Sequence, residues 1–334
     1  MNWGRIMQKG LLISIVSSLA IVALLTPSLA NALNIGDSEL RIRPRLEGGL
    51  MYYEYEQDAT LNITNVDSAN LSLGDSKFKF KDTLPVVLGG VTFFIDRFFI
   101  ELNAQKAFTG SDSDSQSSSF SFIDNAGVTN SELRDTRLDA DFDRTEYAIS
   151  VGYAINERIA VFAGYKRAKT EFDNVKGSGN FKRRFLSSSQ LPVLEEGSIE
   201  SDGNFDFEYD GPFVGVTYGL DVNKDFLKGV LSFGFVAAFL NSEFERERKG
   251  KIIYDDGFER TFEDDLNSKG ETLGETLGLK WQGLIMQHLI KQNDNIGYSI
   301  NVNAYQYNFE ADDSDDPGIK ETAINFRVGI GYAF

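Results

Sequence analysis

The chain has no cysteine, one histidine, two tryptophans and six prolines in 334 residues. Without cysteine there is no disulfide framework, no thiolate metal site and no cysteine nucleophile. A lipoprotein is excluded too, because lipid attachment at a leader cleavage site needs that residue. Basic side chains are in the minority: 33 Lys and Arg against 50 Asp and Glu leave a net charge of −17. A surface that acidic repels a phosphate backbone, so no nucleic acid is expected as a partner. Beyond the N-terminal segment no apolar run reaches the roughly 20 residues that a membrane-spanning helix requires.

The aromatic content is high, with 27 Phe and 13 Tyr. That supplies ample apolar area and argues against a disordered chain. At the N-terminus, Arg5 and Lys9 precede an apolar run over residues 11–25, which ends at Thr26-Pro27-Ser28. Ala30-Asn31-Ala32 then offers small residues at the spacing that signal peptidase reads. Residues 1–32 are therefore expected to be a cleaved signal peptide. Residues 33–334 form one exported domain.

The dominant pattern is a period of two. Thr322, Ile324, Phe326, Val328, Ile330, Tyr332 and Phe334 alternate with Glu321, Asn325, Arg327, Gly329 and Gly331. Alternate side chains of a strand point to opposite faces, so one face here suits hydrocarbon and the other water. The same alternation recurs at Ile42–Tyr52 opposite Arg41, Arg43 and Arg45, and at Phe98–Leu102 opposite Glu101. It recurs again at Tyr147–Tyr153 opposite Arg144 and Glu146, and at Ile159–Tyr165 opposite Lys166. Further runs start at Val214, Leu231, Leu277 and Ile296, and residues 84–95 add a strand of ambiguous register. About ten antiparallel strands follow, or twelve if residues 181–194 hold another hairpin. The expected fold is all-β: a transmembrane, antiparallel, up-and-down β-barrel.

Short and long connections alternate along the chain. Asp96-Arg97, Asn156-Glu157 and residues 221–225 are short turns; residues 287–295 are somewhat longer. Residues 57–82, 109–143, 173–204, 246–270 and 311–318 read as long polar extracellular loops. Short turns on one side and long loops on the other match a bacterial barrel. Tyr153, Tyr218, Trp281, Tyr298 and Tyr332 fall near the short-turn end on the apolar faces, where an aromatic girdle belongs. Tyr52, Tyr147, Tyr165 and Phe239 fall near the other end.

Residues 328–334, ending at Phe334, resemble the C-terminal strand of Gram-negative outer-membrane proteins. That resemblance covers the leader, the strand pattern and this last strand, and implies residence in the outer membrane. It also implies contact with outer-membrane lipid and lipopolysaccharide, and recognition of Phe334 by the barrel-assembly machinery.

Several outer-membrane barrels are enzymes, and the proteases and lipid hydrolases among them use His as general base. Here His288 falls at a short turn, away from the outer rim, so no catalytic residue is expected. No cofactor is implied either. The inward-facing candidates are Arg41, Arg43, Arg45, Glu101, Arg144, Glu146, Lys166, Lys280 and Arg327, joined by Lys228 and Glu321. They read either as an ion-pair network filling a narrow barrel or as a basic constriction passing small anionic solutes. Ten strands lie near the filled end of the size range. The acidic stretches 109–143 and 312–316 read as solvated surface, with a metal role left open. Tyr53, Tyr55, Phe120 and Phe122 read as contact residues for an extracellular ligand.

Overall fold

The structure is a computed structural model that describes residues 33–35, 38–60, 70–72, 75–123, 129–185, 193–224, 227–284, 296–311 and 318–332. The leader, His288, residues 312–317 and Phe334 lie outside the described residues, as does the side chain of Tyr332. Every described regular element is a strand: β1 (Leu33–Ile35), β2 (Ser38–Thr60), β3 (Asn70–Ser72), β4 (Asp75–Ile95), β5 (Phe98–Ile123), β6 (Thr129–Ala154), β7 (Ile159–Phe185), β8 (Val193–Lys224), β9 (Leu227–Tyr254), β10 (Glu259–Leu284), β11 (Ile296–Ala311) and β12 (Ile319–Tyr332).

Ten of these close a ring. Each of β4 to β12 pairs antiparallel with the next, and β2 joins β4 on one side and β12 on the other. Closure satisfies every wall strand laterally, which is what hydrocarbon surroundings demand of backbone N–H and C=O groups. The remaining two are short additions: β1 folds back on the start of β2, and β3 pairs with the end of β5. Of the stretch 181–194, Phe181–Phe185 extends β7 and Val193 and Leu194 begin β8, so these described residues add no further strand to the ring. The β4–β5 turn is a two-residue connection in which Asp96 takes φ 53°, a conformation that Asp tolerates better than bulky residues.

The strands are much longer than the alternation suggests, and four of the five expected loops are largely paired strand. Within 109–143, Gly110 to Ile123 pairs with Phe142 to Thr129. Within 173–204, Val175 to Phe185 pairs with Gly203 to Val193. Within 246–270 the ladder runs on to Glu259 opposite Ile253, leaving a connection of only four residues. Within 57–82 the ladder reaches Thr60 opposite Asp75. The Asp, Ser, Asn and Gly in these stretches have low strand propensity, yet pairing with neighbours overrides so weak a preference.

The outer face falls into two zones. Near the short turns it is apolar: Leu50, Phe98, Val151, Val214, Phe239, Leu277 and Phe326 all stand exposed. On β2 this belt runs from Ile42 to Tyr52, about 25 Å at a strand tilt near 40°, the height of a hydrocarbon core. Above it the outer face carries charge, as with Glu208 and Asp206 on β8 or Lys169 and Glu171 on β7. The stretch of β8 above the belt adds roughly 40 Å by the same rise and tilt. The barrel therefore stands well clear of the membrane as a collar.

Inside the collar the polarity is reversed. Phe80, Phe142, Phe172, Phe205, Phe207, Phe244 and Phe309 are buried there with Tyr55. Phe172 stacks on Phe205 at 4.3 Å, and Tyr55 packs on Phe172 at 4.6 Å. Each such ring removed from water contributes roughly 1.5–3 kcal/mol. At one seam, carboxylates replace the carbonyl partners of a ladder. Lys79 N–H donates to Asp114 Oδ2 at 3.0 Å and Lys81 N–H to Asp112 Oδ2 at 2.8 Å, where β4 and β5 stand beyond their paired segment.

Replacing Phe172 with Ala should destabilise the collar by about 3–5 kcal/mol, since it empties the centre of the aromatic stack. Urea titration in micelles with limited proteolysis checks this. The expected outcome is a lower midpoint and new cleavage in collar hairpins while the membrane belt stays protected.

Candidate functional site

Strand parity carries the inner-face residues upward in three levels. The lowest, nearest the short turns, holds Arg41, Arg43, Arg45, Glu101 and Lys280. Arg45 Nη2 lies 2.5 Å from Glu101 Oε1 and donates to Asn103 Oδ1 at 2.7 Å. Arg43 lies over the Phe94 ring at 5.3 Å. Lys280 faces Arg43, Arg45, Glu47 and Glu101 without closing an ion pair or hydrogen bond among the described residues.

Above it a polar layer spans the lumen. Glu47 is its centre: Arg327 Nε donates to Oε2 at 3.0 Å, and Asn301 Nδ2 donates to Oε1 at 2.8 Å. Arg327 reaches on to Gln105 Oε1 at 2.6 Å. These side chains come from β2, β5, β11 and β12, so the layer ties non-neighbouring strands together across the interior.

The third layer is centred on Arg144, which is 1 % exposed and pairs at 2.7 Å with Glu321, itself 0 % exposed. The guanidinium also donates to Thr170 Oγ1 at 3.0 Å, to the Tyr209 hydroxyl and to Glu146. Tyr53 and Thr170 hydroxyls both donate to Glu321 Oε1. Lys166 bridges Glu146 at 3.0 Å and the Tyr307 hydroxyl at 2.5 Å. Tyr209 and Tyr305 rings flank the Arg144 guanidinium at 5.2 and 5.3 Å. Arg144 and Glu321 thus pair inside the fold with their remaining hydrogen-bonding capacity largely used, the condition under which burying opposite charges is tolerable.

Sequence parity places all nine candidates on inner faces, and the structure has them there, divided among these three levels. It does not gather them into one ring or constriction. Tyr53 and Tyr55, expected to meet an extracellular ligand, are instead wholly buried inside the barrel. The reason is that β2 continues past Tyr52 with unbroken alternation, which turns both rings inward. Phe120 and Phe122 lie within β5 rather than in a loop, and their side chains are outside the described set. Tyr209, Tyr305 and Tyr307 were missed. The signal for them was present: Tyr209 and Tyr307 stand between polar neighbours, and Tyr305 shares the parity of Tyr307.

On the outer face the lower girdle is assembled as aromatic contacts. Trp281 Nε1 donates to the Tyr298 hydroxyl at 2.9 Å, Tyr153 packs on Phe98 at 4.9 Å, and Tyr218 stands exposed at the same end. A surface cleft of about 670 Å³ opens on the collar, lined by Ser111, Asp112, Ser113, Asp139, Asp141, Asn174 and Lys176. It lies where three neighbouring ladders shift register at bulges on β5 and β7, and Asn174 takes φ 54°. Among the described residues no three His, Asp or Glu side chains converge as metal ligands. Elsewhere on the collar, the Asn267 amide and the Lys269 ammonium hold the Glu243 carboxyl below its usual range.

In its closed ring the chain resembles the crystal structure of the outer membrane protease OmpT from Escherichia coli. The two share 11% identity over 91% of this chain and 99% of that one, with a TM-score of 0.51. The fold is that of an outer-membrane β-barrel. A Pseudomonas aeruginosa FadL homologue matches this barrel at 8% identity over 89% and 90% of the two chains, with a TM-score of 0.25. The Pseudomonas putida toluene transporter TodX matches it at 10% identity over 90% and 91%, with a TM-score of 0.31. Those two superpose too loosely to bear on the barrel's architecture. No family model and no curated protein matches the sequence.

Replacing Glu321 with Ala leaves Arg144 buried without its counter-charge and should cost the barrel about 3–5 kcal/mol. Adding Arg144→Met should recover much of that loss. The gel temperature at which the folded band converts to the unfolded one reads both effects.

Proposed function

We propose that this barrel is a closed, surface-presenting protein of the Gram-negative outer membrane, exported by cleavage after Ala32. It works through the collar it holds above the lipid rather than through a passage along its axis. One observation carries this reading: the interior is spanned in succession by the Glu47–Arg327 layer, the Arg144–Glu321 layer and the aromatic stack. Arg144, Tyr53, Tyr55, Tyr209, Tyr307 and five Phe are among the largest fully buried side chains. Side chains buried this completely support a lumen filled by protein at these levels. A ten-stranded ring is narrow enough for its own side chains to fill it.

The collar is the part available to partners. Its outer wall presents charge of both signs, and its cleft offers hydroxyl, carboxylate, amide and ammonium groups on one concave surface. That chemistry suits a polar extracellular ligand. The apolar belt meets outer-membrane lipid and lipopolysaccharide, and the last strand is the handle for the barrel-assembly machinery. No reaction is assigned to the barrel.

Purified barrel reconstituted in planar bilayers should give no discrete conductance steps at any voltage. Stepwise, salt-dependent conductance from the unmodified protein would replace this reading with a narrow porin-like passage for small solutes.

A further inference from the structure

The outer face of the belt is apolar almost throughout, and β10 breaks that pattern. Its outward residues run Trp281, Leu279, Leu277, Glu275 and Leu273. Leu277 is 63 % exposed and Leu273 49 %, so the Glu275 carboxylate stands between two lipid-facing leucines. It lies six residues above Trp281 of the lower girdle, about 15 Å along the membrane normal at the same rise and tilt. Leu273, the next outward residue up, is register-paired with Phe239 near the upper edge. Glu275 is therefore inside the belt at both ends.

A carboxylate facing hydrocarbon is unfavourable, because no water is there to solvate it. Near the upper edge on β5 a second charge, Lys106, is answered within the chain by Asp143 and the Thr145 hydroxyl on β6. Glu275 closes no ion pair or hydrogen bond among the described residues. Its register neighbour on β11 is Gln306, another polar side chain exposed on the outward face. The Gln306 amide gives one N–H to Asn308 Oδ1 at 3.1 Å, which leaves the second N–H of that nitrogen to donate elsewhere. On its other side Glu275 is paired with Ala237 on β9, and Leu277 is paired with Ala304 on β11. These two methyl groups keep the wall low on either side of the carboxylate. Bulkier pairs, Phe239 with Leu273 and Phe235 with Leu277, stand above and below it.

We propose that this face of β9, β10 and β11 docks a second copy of the chain within the membrane, as a two-fold symmetric dimer. An acceptor and a donor side by side on one wall are self-complementary about a two-fold axis. With that axis along the membrane normal and passing between β10 and β11, Glu275 of one protomer faces Gln306 of the partner subunit. Gln306 in turn faces the partner's Glu275. Each carboxylate gains an amide N–H in place of hydrocarbon, the kind of polar contact that holds membrane-embedded surfaces together. Ala237 and Ala304 let the two walls approach closely enough for it, and the flanking Phe and Leu side chains pack around it. The dimer rests on the belt meeting lipid and is independent of whether the lumen is closed.

The lack of native cysteine allows a direct test in the outer membranes of cells making the full chain. Leu277→Cys lies close to the two-fold axis and leaves both polar groups in place. A short bis-maleimide should link it into a covalent dimer. Val151→Cys, on β6 and equally lipid-facing, should stay monomeric under the same treatment. Adding Glu275→Leu or Gln306→Leu to the Leu277→Cys chain should lower the linked fraction at least fivefold, while the folded band on unheated gels persists. Absence of linking at position 277 overturns the proposal, as does equal linking at positions 151 and 277. Linking undiminished by both leucine variants also overturns it. If position 277 does not link and Glu275→Leu sheds copurifying lipopolysaccharide, the carboxylate belongs to a lipid headgroup contact instead.

Discussion

A strand has two faces, and in a closed ring one always looks in and the other always looks out. What the outward face meets changes with height. At the level of the belt it meets hydrocarbon, so Val214, Val216, Tyr218 and Leu220 face out on β8 and small or polar residues face in. A few residues further up the same strand the surroundings are water. Phe205, Phe207 and Tyr209 now face in, while Asp206, Glu208 and Asp210 face out. Along β8 side-chain direction keeps its period of two, and only the hydrophobic phase inverts. The lower part is therefore apolar outside and polar within. The upper part is built like a water-soluble protein, with an aromatic core.

That inversion explains how the interior is filled. In the belt the wall spends its apolar residues on lipid, and the lumen is held together by hydrogen bonds and ion pairs linking β2 and β5 to β11 and β12. In the collar the apolar residues return to the centre and pack on each other. Arg144 and Glu321 sit at the junction, with Tyr53, Tyr209 and Tyr307 turning hydroxyls toward the charges and rings toward the aromatic core. Tyrosine suits such a boundary because it is apolar along its body and polar at its tip. The layer couples strands far apart in sequence: Arg144 reaches Glu321 across 177 positions.

The belt was legible in the sequence because its alternation is strong, with apolar residues outward and charged or small ones inward. The ring of ten strands and the inward set on it could be read from that pattern and the alternation of short turns. The collar was not legible as strand. There the outward residues are charged, the inward ones include Gly177, Gly203 and Ser201, and stretches such as 111–119 are almost wholly Ser and Asp. Such a segment carries no phase signal and reads as solvated loop. The placement of Tyr53 and Tyr55 failed for a related reason: the strand was ended where the lipid-facing pattern ended. Following the parity of Arg43, Arg45 and Glu47 upward leads to Met51, Tyr53 and Tyr55, which the structure buries. The three-level division of the charges was beyond sequence, because it depends on the stagger between strands.

The most direct test of the phase inversion exploits the absence of native cysteine. Single Cys variants at Val216, Glu208 and Phe207, all on β8, carry a fluorescent label in barrels reconstituted into lipid vesicles. The account predicts that a quencher in the acyl chains reaches the label at position 216 alone. A water-soluble quencher reaches position 208 alone, and neither reaches 207 in the folded barrel. Aqueous quenching at 207 would show a water-filled collar, and acyl-chain quenching at 208 would place the membrane where the collar should stand; either result contradicts the account.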